Sequence, residues 1–355
     1  MLKKSNFTLE HTKKLQEGTK CDPGILERMV FAFGLLEAIS QTGLDFTFKG
    51  GTCLLLLLPQ EKRLSTDIDI LVKPGTDIEE YIEKTALIFP FISVEEQFRK
   101  ERSSIEKRHF KFKYKSPHEN EDLYILLDVV YDDNYYMKTI TRKIDNSLID
   151  TEEPYVLVKI PTINGIMGDK LTAFAPHSIG IRYDEGRELD IIKQFFDIAT
   201  LFDVVSDFEE VKNTYKNIAK KAIKNRKLDD YNINKTLMDT FNSAIAIISK
   251  GQISNEDYIK LLKGIQGVKN HVIGKYPPSI AEMQACRVAY LVASIMVGKN
   301  ELIKITDETQ YSDKLIPYIQ YSKLNHMKKA NLLNFAYLYE AILLVESISN
   351  LTLHS

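Results

Sequence analysis

From residue 24 to 39, apolar side chains recur at three- and four-residue steps (Ile25, Leu26, Met29, Phe31, Phe33, Leu36, Ile39), the spacing of an amphipathic helix that Gly43 then stops. Residues 44–49 read as a short strand running into Gly50-Gly51-Thr52. The apolar stretch 53–58 behind it reads as a buried helix with Thr52 as its N-cap. Residues 67–72, DIDILV, form a second predicted strand, closed by Pro74-Gly75. Thr76 or Asp77 then caps a helix to about Phe89, with Glu79 and Glu80 in its first turn. Further strands are predicted at 91–98, 109–115, 123–131 and 155–159, and a helix after Pro161-Thr162. In HFKFKYK, strict alternation puts Phe110, Phe112 and Tyr114 on one face and His109, Lys111, Lys113 and Lys115 on the other.

After about Glu185 the strand patterns cease. Helical periodicity marks 186–204, 207–225, 232–249, 255–264, 279–297, 312–323 and 326–347. The expected architecture is an α+β domain over residues 1–180 followed by a helical domain over 181–355.

Composition narrows the function classes. The chain has 355 residues, with 47 Lys+Arg against 49 Asp+Glu and a net charge of −2, so it does not coat nucleic acid through bulk positive charge. Hydrophobic residues at 44% are ample for a core in each of two domains. No apolar run approaches the ~20 residues of a membrane span, and MLKKSNFTLEHTKK has no apolar stretch behind its lysines. A cytoplasmic protein with no membrane partner is expected. Cys21, Cys53 and Cys286 are too scattered for a disulfide framework or a zinc site, and are expected to be reduced. His118, His177, His271 and the remaining histidines form no metal-binding spacing.

Positive charge gathers locally. One tract comprises Arg99, Lys100, Arg102, Lys107 and Arg108 with the lysines of 109–115; the other comprises Lys212, Lys216, Lys220, Lys221, Lys224, Arg226 and Lys227. Either can be a solvated face, or a surface for an RNA backbone.

The chemistry concentrates in residues 48–72. On a strand, Asp67 and Asp69 point to the same face, and such a pair is relieved by divalent cations that also bridge phosphate oxygens. Asp128 interrupts the otherwise apolar YILLDVVY, where a carboxylate without a cation nearby is costly to bury. Beside the Asp67–Asp69 strand it would complete a two-metal site and take up a nucleophile's proton. Gly50 and Gly51 let backbone N–H groups approach an anion at a helix N-terminus.

Taken in order, KGGT followed by RLSTDIDI resembles the glycine and acidic-pair signature of the DNA polymerase β-like nucleotidyltransferase superfamily, and most closely the AbiEii/AbiGii abortive-infection toxin family. Gly168-Asp169-Lys170-Leu171 is similar to that family's Lys-Leu helix, and Lys193-Gln194-Phe195-Phe196-Asp197-Ile198 to its Asp-containing helix. The resemblance implies a polymerase β-like mixed sheet with flanking helices. It implies an NTP substrate held by Gly50, Gly51, Thr52, Ser65 and Lys170, two Mg²⁺ on Asp67, Asp69 and Asp128, and Asp197 completing the catalytic set with Lys170. It also implies a phage-defence toxin that modifies tRNA or another RNA and is matched by a cognate antitoxin. Asp169 replaces the family's glutamate, and Gln194-Phe195-Phe196 replaces its Arg-Asp, which leaves the role of Lys193 open. A small-molecule or protein hydroxyl as acceptor, and a catalytically inactive binding protein on the same fold, stay open as alternatives.

Overall fold

The computed structural model describes residues 1–98 and 105–353. Contacts divide the chain into two units, Met1–Ile166 with Asn270–Lys275, and Met167–Lys269 with Tyr276–Ser355.

The first unit begins with a capped helix that the hydrophobic pattern does not announce. The Thr8 side chain accepts from the His11 amide to start α1 (Leu9–Thr19), which buries little besides His11, Thr12 and Leu15. Asp22 accepts from the Ile25 amide in the same way, and with Pro23 at the first position it starts α2 (Pro23–Gln41). Leu26, Met29, Phe33, Leu35, Leu36 and Ile39 of α2 are fully buried, each contributing about 1.5–3 kcal/mol of apolar burial.

Next come β1 (Thr47–Lys49), α3 (Gly50–Leu57), β2 (Ile68–Val72), α4 (Glu79–Ala86), β3 (Phe91–Glu96), β4 (Lys107–Lys115) and β5 (Asp122–Tyr131). The five strands form one mixed sheet in the order β1-β2-β5-β4-β3; β2 and β5 run parallel and the other pairings are antiparallel. Phe48, Ile70, Phe110, Phe112, Leu127 and Val129 line one face, all at most 3% exposed. On that face Tyr114 stacks on Phe31 of α2, with centroids 3.7 Å apart. A separate antiparallel pair joins β6 (Thr139–Lys143) to β7 (Leu157–Pro161).

Several local boundaries differ from the expectation. The Thr52 cap is three residues late, since Lys49 stands at the cap position and Thr52 lies inside the helix. α4 starts at Glu79 rather than behind Thr76 or Asp77; the Asp77 carboxylate accepts from the Glu79 amide without capping in the regular position. β6 was not foreseen, because TITRK carries only one large apolar residue.

The division between the units falls within α5 (Ile163–Ala173). The second unit continues with α6 (Glu188–Leu201), α7 (Phe208–Asn225), α8 (Ile233–Ile248), α9 (Asn255–Val268), α10 (Pro278–Met296), α11 (Met327–Ala330) and α12 (Leu332–Leu353). α10 is its core helix: Ala281, Ala285, Cys286, Val288, Ala289 and Leu291 are all fully buried. α6 and α9 touch at Gly264, where a Cβ would lie 2.2 Å from the Glu188 carbonyl oxygen. The helix expected at 312–323 is absent; 3₁₀ turns at Thr309–Tyr311 and Ile319–His326 flank Pro317, whose missing N–H and fixed φ break the helical ladder. Asn331 divides the helix expected at 326–347: its backbone is extended and its side chain accepts from the Asn334 amide to start α12.

Candidate active site

The glycine pair stands where β1 ends and α3 begins, and the structure shows why both positions lack side chains. Gly50 has φ +84°, and a Cβ there would lie 2.0 Å from Oδ2 of Asp69. A Cβ at Gly51 would lie 2.7 Å from Nη2 of Arg63 and 2.8 Å from Oγ of Ser65. The start of α3 is therefore pressed between a carboxylate on one side and a guanidinium and hydroxyl on the other. Its leading amides carry the positive end of the helix dipole, a place that favours anions.

Strand register assembles the acidic side of the site. Lys49 on β1 opposes Asp69 on β2, Asp69 opposes Asp128 on β5, and Asp128 opposes His109 on β4. Directly opposed residues share a face, so Lys49, Asp69, Asp128 and His109 form one row across four strands. Their neighbours Phe48, Ile70, Val129 and Phe110 point the other way into the core. Opposed side chains start about 5 Å apart. Two ionised carboxylates at that distance repel by roughly 3 kcal/mol at an effective dielectric of about 20. A neutral hydrogen bond contributes only about 1 kcal/mol, so charged or charge-assisted contacts weigh more at this row. One such contact is present: Nδ1 of His109 lies 2.6 Å from Oδ1 of Asp128.

Asp67 occupies the approach to this row, one residue before β2, and is exposed. The Thr52 hydroxyl, fully buried, donates to the Asp67 carbonyl oxygen at 2.6 Å and ties the helix start to the strand entrance. The Thr52 hydroxyl proton is thus committed within the protein, and what this residue can offer an anion is its backbone. Buried Arg63 donates from Nη1 to the Leu64 carbonyl oxygen at 3.1 Å. The motif RLSTDIDI gives Arg63 no role by itself, and the spacing of the histidines gives none to His109. The alternation of HFKFKYK put His109 on the charged face, but only the register sets it beside Asp128.

Lys170 and Asp197 belong to the second unit, on α5 and α6, and they meet each other. Lys170 Nζ lies 3.0 Å from Asp197 Oδ2, with side-chain exposures of 7% and 2%. Lys193, also on α6, lies 3.7 Å from Asp190. Gly168 lets α5 approach α7, since a Cβ there would lie 2.8 Å from the Val211 carbonyl oxygen.

The basic tracts divide. Arg99, Lys100 and Arg102 lie outside the described residues. Within the sheet, Lys113 pairs with Glu95 at 2.8 Å, Lys115 with Asp122 at 3.6 Å, and Arg108 grips Glu96 through two bonds of 2.7 and 2.8 Å while also reaching Glu79. Those partners hold the carboxyls of Glu95 and Glu96 below the usual range. Much of the charge in this tract is therefore neutralised across the strands. On α7, Lys212 is engaged by Glu209 and by the Lys299 carbonyl. Arg226 donates to the carbonyls of Ser178 and Gly180, whereas Lys216, Lys220 and Lys224 are exposed along one side.

The profile of the family described as nucleotidyl transferase AbiEii toxin, type IV toxin–antitoxin system, matches residues 34–267, more than half of the chain. The chain belongs to the AbiEii family. As an AbiEii protein it is a nucleotidyltransferase and a toxin of a type IV toxin–antitoxin system, with an NTP as substrate and an antitoxin as partner. The matched span contains every candidate residue named above. Two crystal structures from Helicobacter pylori are similar to this AbiEii chain. JHP933 is 14% identical, with 76% of this chain and 92% of that one covered and a TM-score of 0.44. The other, described as a nucleotidyltransferase, is 15% identical, with 76% and 95% covered and a TM-score of 0.43. A search of curated proteins finds no match. Among the described residues, no helix is long and apolar enough to cross a membrane.

Proposed function

We propose that this AbiEii toxin transfers a nucleoside monophosphate from an NTP to a hydroxyl of RNA, with tRNA as the acceptor, in the bacterial cytoplasm and in defence against phage. The observation that carries the reading is the contact between the Gly50–Gly51 turn and Asp69, which sets an anion-favouring helix start against an acidic row. Gly50, Gly51 and the Thr52 backbone hold the triphosphate, and the Ser65 hydroxyl donates to it. The acceptor oxygen attacks the α-phosphorus, the bond to the β-phosphate oxygen breaks, and pyrophosphate leaves with the bonding pair. Asp128 takes the acceptor's proton. Lys170 is proposed as a phosphate ligand, and Asp197 as the acid that completes the catalytic set.

The donor chemistry fits Mg²⁺: Asp67, Asp69 and Asp128 offer hard carboxylate oxygens, and the Asp69 carboxylate stands directly against the glycine turn, where a Cβ at Gly50 would lie. Among the described residues, no three His, Cys, Asp or Glu side chains are gathered as a ready-made cage. Mg²⁺ takes one or two carboxylates and completes its shell with water and substrate phosphates. When bound it would offset phosphate charge and bridge substrate to protein. RNA as acceptor is supported by the exposed α7 lysines Lys216, Lys220 and Lys224.

The test is label transfer. The purified chain is incubated with Mg²⁺ and each NTP labelled at its α-phosphate, with and without total tRNA, beside Asp67→Ala. Label on tRNA from one NTP, absent in the variant, is the expected result and identifies the base. Label on the protein, or pyrophosphate release with only a small alcohol as acceptor, would replace RNA as the substrate.

A further inference from the structure

The acidic row ends in a residue that no motif assigns. We infer that His109 is a positioning residue for Asp128, holding its carboxylate so that one oxygen faces a divalent cation; the inference rests on the metal-dependent reading of the site above. His109 and Asp128 are cross-strand partners on β4 and β5, and Nδ1 lies 2.6 Å from Oδ1. Their side chains are 15% and 25% exposed, so water competes little for the bond.

The short Nδ1–Oδ1 contact is a hydrogen bond in the tautomer that carries its proton on Nδ1, and in that tautomer the imidazole donates to the carboxylate. The bond does two things. It occupies Oδ1, which leaves Oδ2 to a cation, and it supplies a donor on the flank of Asp128 opposite Asp69. With Asp69 in register on one side and His109 on the other, the carboxylate is clamped between a repulsion and an attraction along one line of the sheet. Rotation of the side chain loses the bond to His109. The imidazole itself stands on a strand whose next residue, Phe110, is 3% exposed, so the backbone that carries it is pinned by the core. Gln97 donates its amide to the His109 carbonyl at 2.7 Å and extends the pairing beyond β3. Hydrogen-bonded supports of this kind are as much a part of a metal site as the ligands.

The experiment compares the full chain with His109→Leu, which removes the donor at similar volume, and His109→Asn, whose amide nitrogen takes the place of Nδ1. Mn²⁺ binding is read by electron paramagnetic resonance of the free ion, without nucleotide. The Mg²⁺ dependence of turnover and the KM for NTP at saturating Mg²⁺ are measured beside it, and a melting curve checks each variant. His109→Leu is expected to weaken Mn²⁺ binding and raise the half-activating Mg²⁺ concentration about 10- to 100-fold, with KM for NTP within about twofold and with His109→Asn recovering most of the loss. Parental Mn²⁺ binding and Mg²⁺ dependence in a folded His109→Leu would overturn the inference alone. Equal losses in the Leu and Asn variants would also overturn it, because a donor at that position would then not be the cause. A parent that binds no Mn²⁺ and whose turnover needs no divalent cation would overturn the metal reading of the site, and this inference with it.

Discussion

The carboxylate of Asp69 fills the space in which a side chain at Gly50 would begin, with Oδ2 2.0 Å from the position of a Cβ. Gly50→Ala must therefore push Asp69 out of the row as well as strain a backbone at φ +84°. Turnover is expected to fall by at least about 100-fold, because displacement of a reacting group by about 1 Å has that effect. Gly43→Ala is the control. Its φ is +85°, yet nothing lies within 4 Å of the added methyl, so it takes on the backbone strain without touching the site. Gly43→Ala should lose about 1–2 kcal/mol of stability to its left-handed backbone and keep its activity, while Gly50→Ala, which also displaces Asp69, should lose at least as much. Equal activity of the two would remove the Asp69 contact from the explanation.

Thr52 joins the helix start to the entrance of β2 through one 2.6 Å bond to the Asp67 carbonyl. Thr52→Val keeps the shape and removes the donor, which leaves that carbonyl short of a partner at a cost of about 1–3 kcal/mol. The expected outcome is a lower melting temperature together with reduced kcat, since the bond places Asp67, and recovery of both in Thr52→Ser. A valine variant with parental stability but a raised KM for NTP would instead give the hydroxyl a direct role at the substrate.

Lys170 and Asp197 are nearly inaccessible and lie 3.0 Å apart, so either variant disturbs the fold of its unit before it disturbs a substrate. Lys170→Ala and Asp197→Ala should each cost on the order of 3 kcal/mol, as removal of one member of a buried pair does. NTP affinity must then be measured at a temperature where the variant is folded, with circular dichroism as the check. There, Lys170→Ala is expected to bind NTP more weakly; unchanged affinity would reduce the pair to a structural one.

The strands that carry the acids were legible because DIDILV and YILLDVVY combine β-branched and leucine residues with a polar residue that does not belong in a core. Asp128 stood out for that reason. Its placement beside Asp69 was legible only as a condition, that the two strands pair, because register depends on partners far away in sequence; the structure supplies the pairing. His109 could not be found from one chain segment: its alternation gave the face, but its contact with Asp128 comes from β4 lying against β5. The start of α3 was misjudged because Thr is a good cap by type, whereas here the turn is made by Gly50 and the Thr52 hydroxyl is drawn to Asp67. The helix drawn through Pro317 shows periodicity overruled by one missing N–H. Basic tracts were the least legible feature, since the sequence counts lysines and arginines and cannot show that Glu95 and Asp122 pair with Lys113 and Lys115, and Glu96 with Arg108.

Asp239 gives the second unit a pH dependence of its own. Its Oδ2 accepts from the His177 amide at 2.9 Å and from the Ser178 hydroxyl at 2.6 Å, while Oδ1 is buried with no hydrogen-bond partner. Burial pushes its carboxyl above the usual range, although these bonds and the nearby His177 oppose the rise. A raised native pKa favours the protonated form in the folded state. Its stabilising effect is thus complete below the unfolded value of about 4 and is lost as pH rises through the native value. Asp239→Asn keeps an acceptor for Ser178 and has no charge to bury. The melting temperature of the variant minus that of the parent should therefore be smallest near pH 4, increase with pH, and level off above the native pKa. Melting curves from pH 4 to 8 decide it: a difference that does not change with pH would show that Asp239 ionises normally in the folded protein.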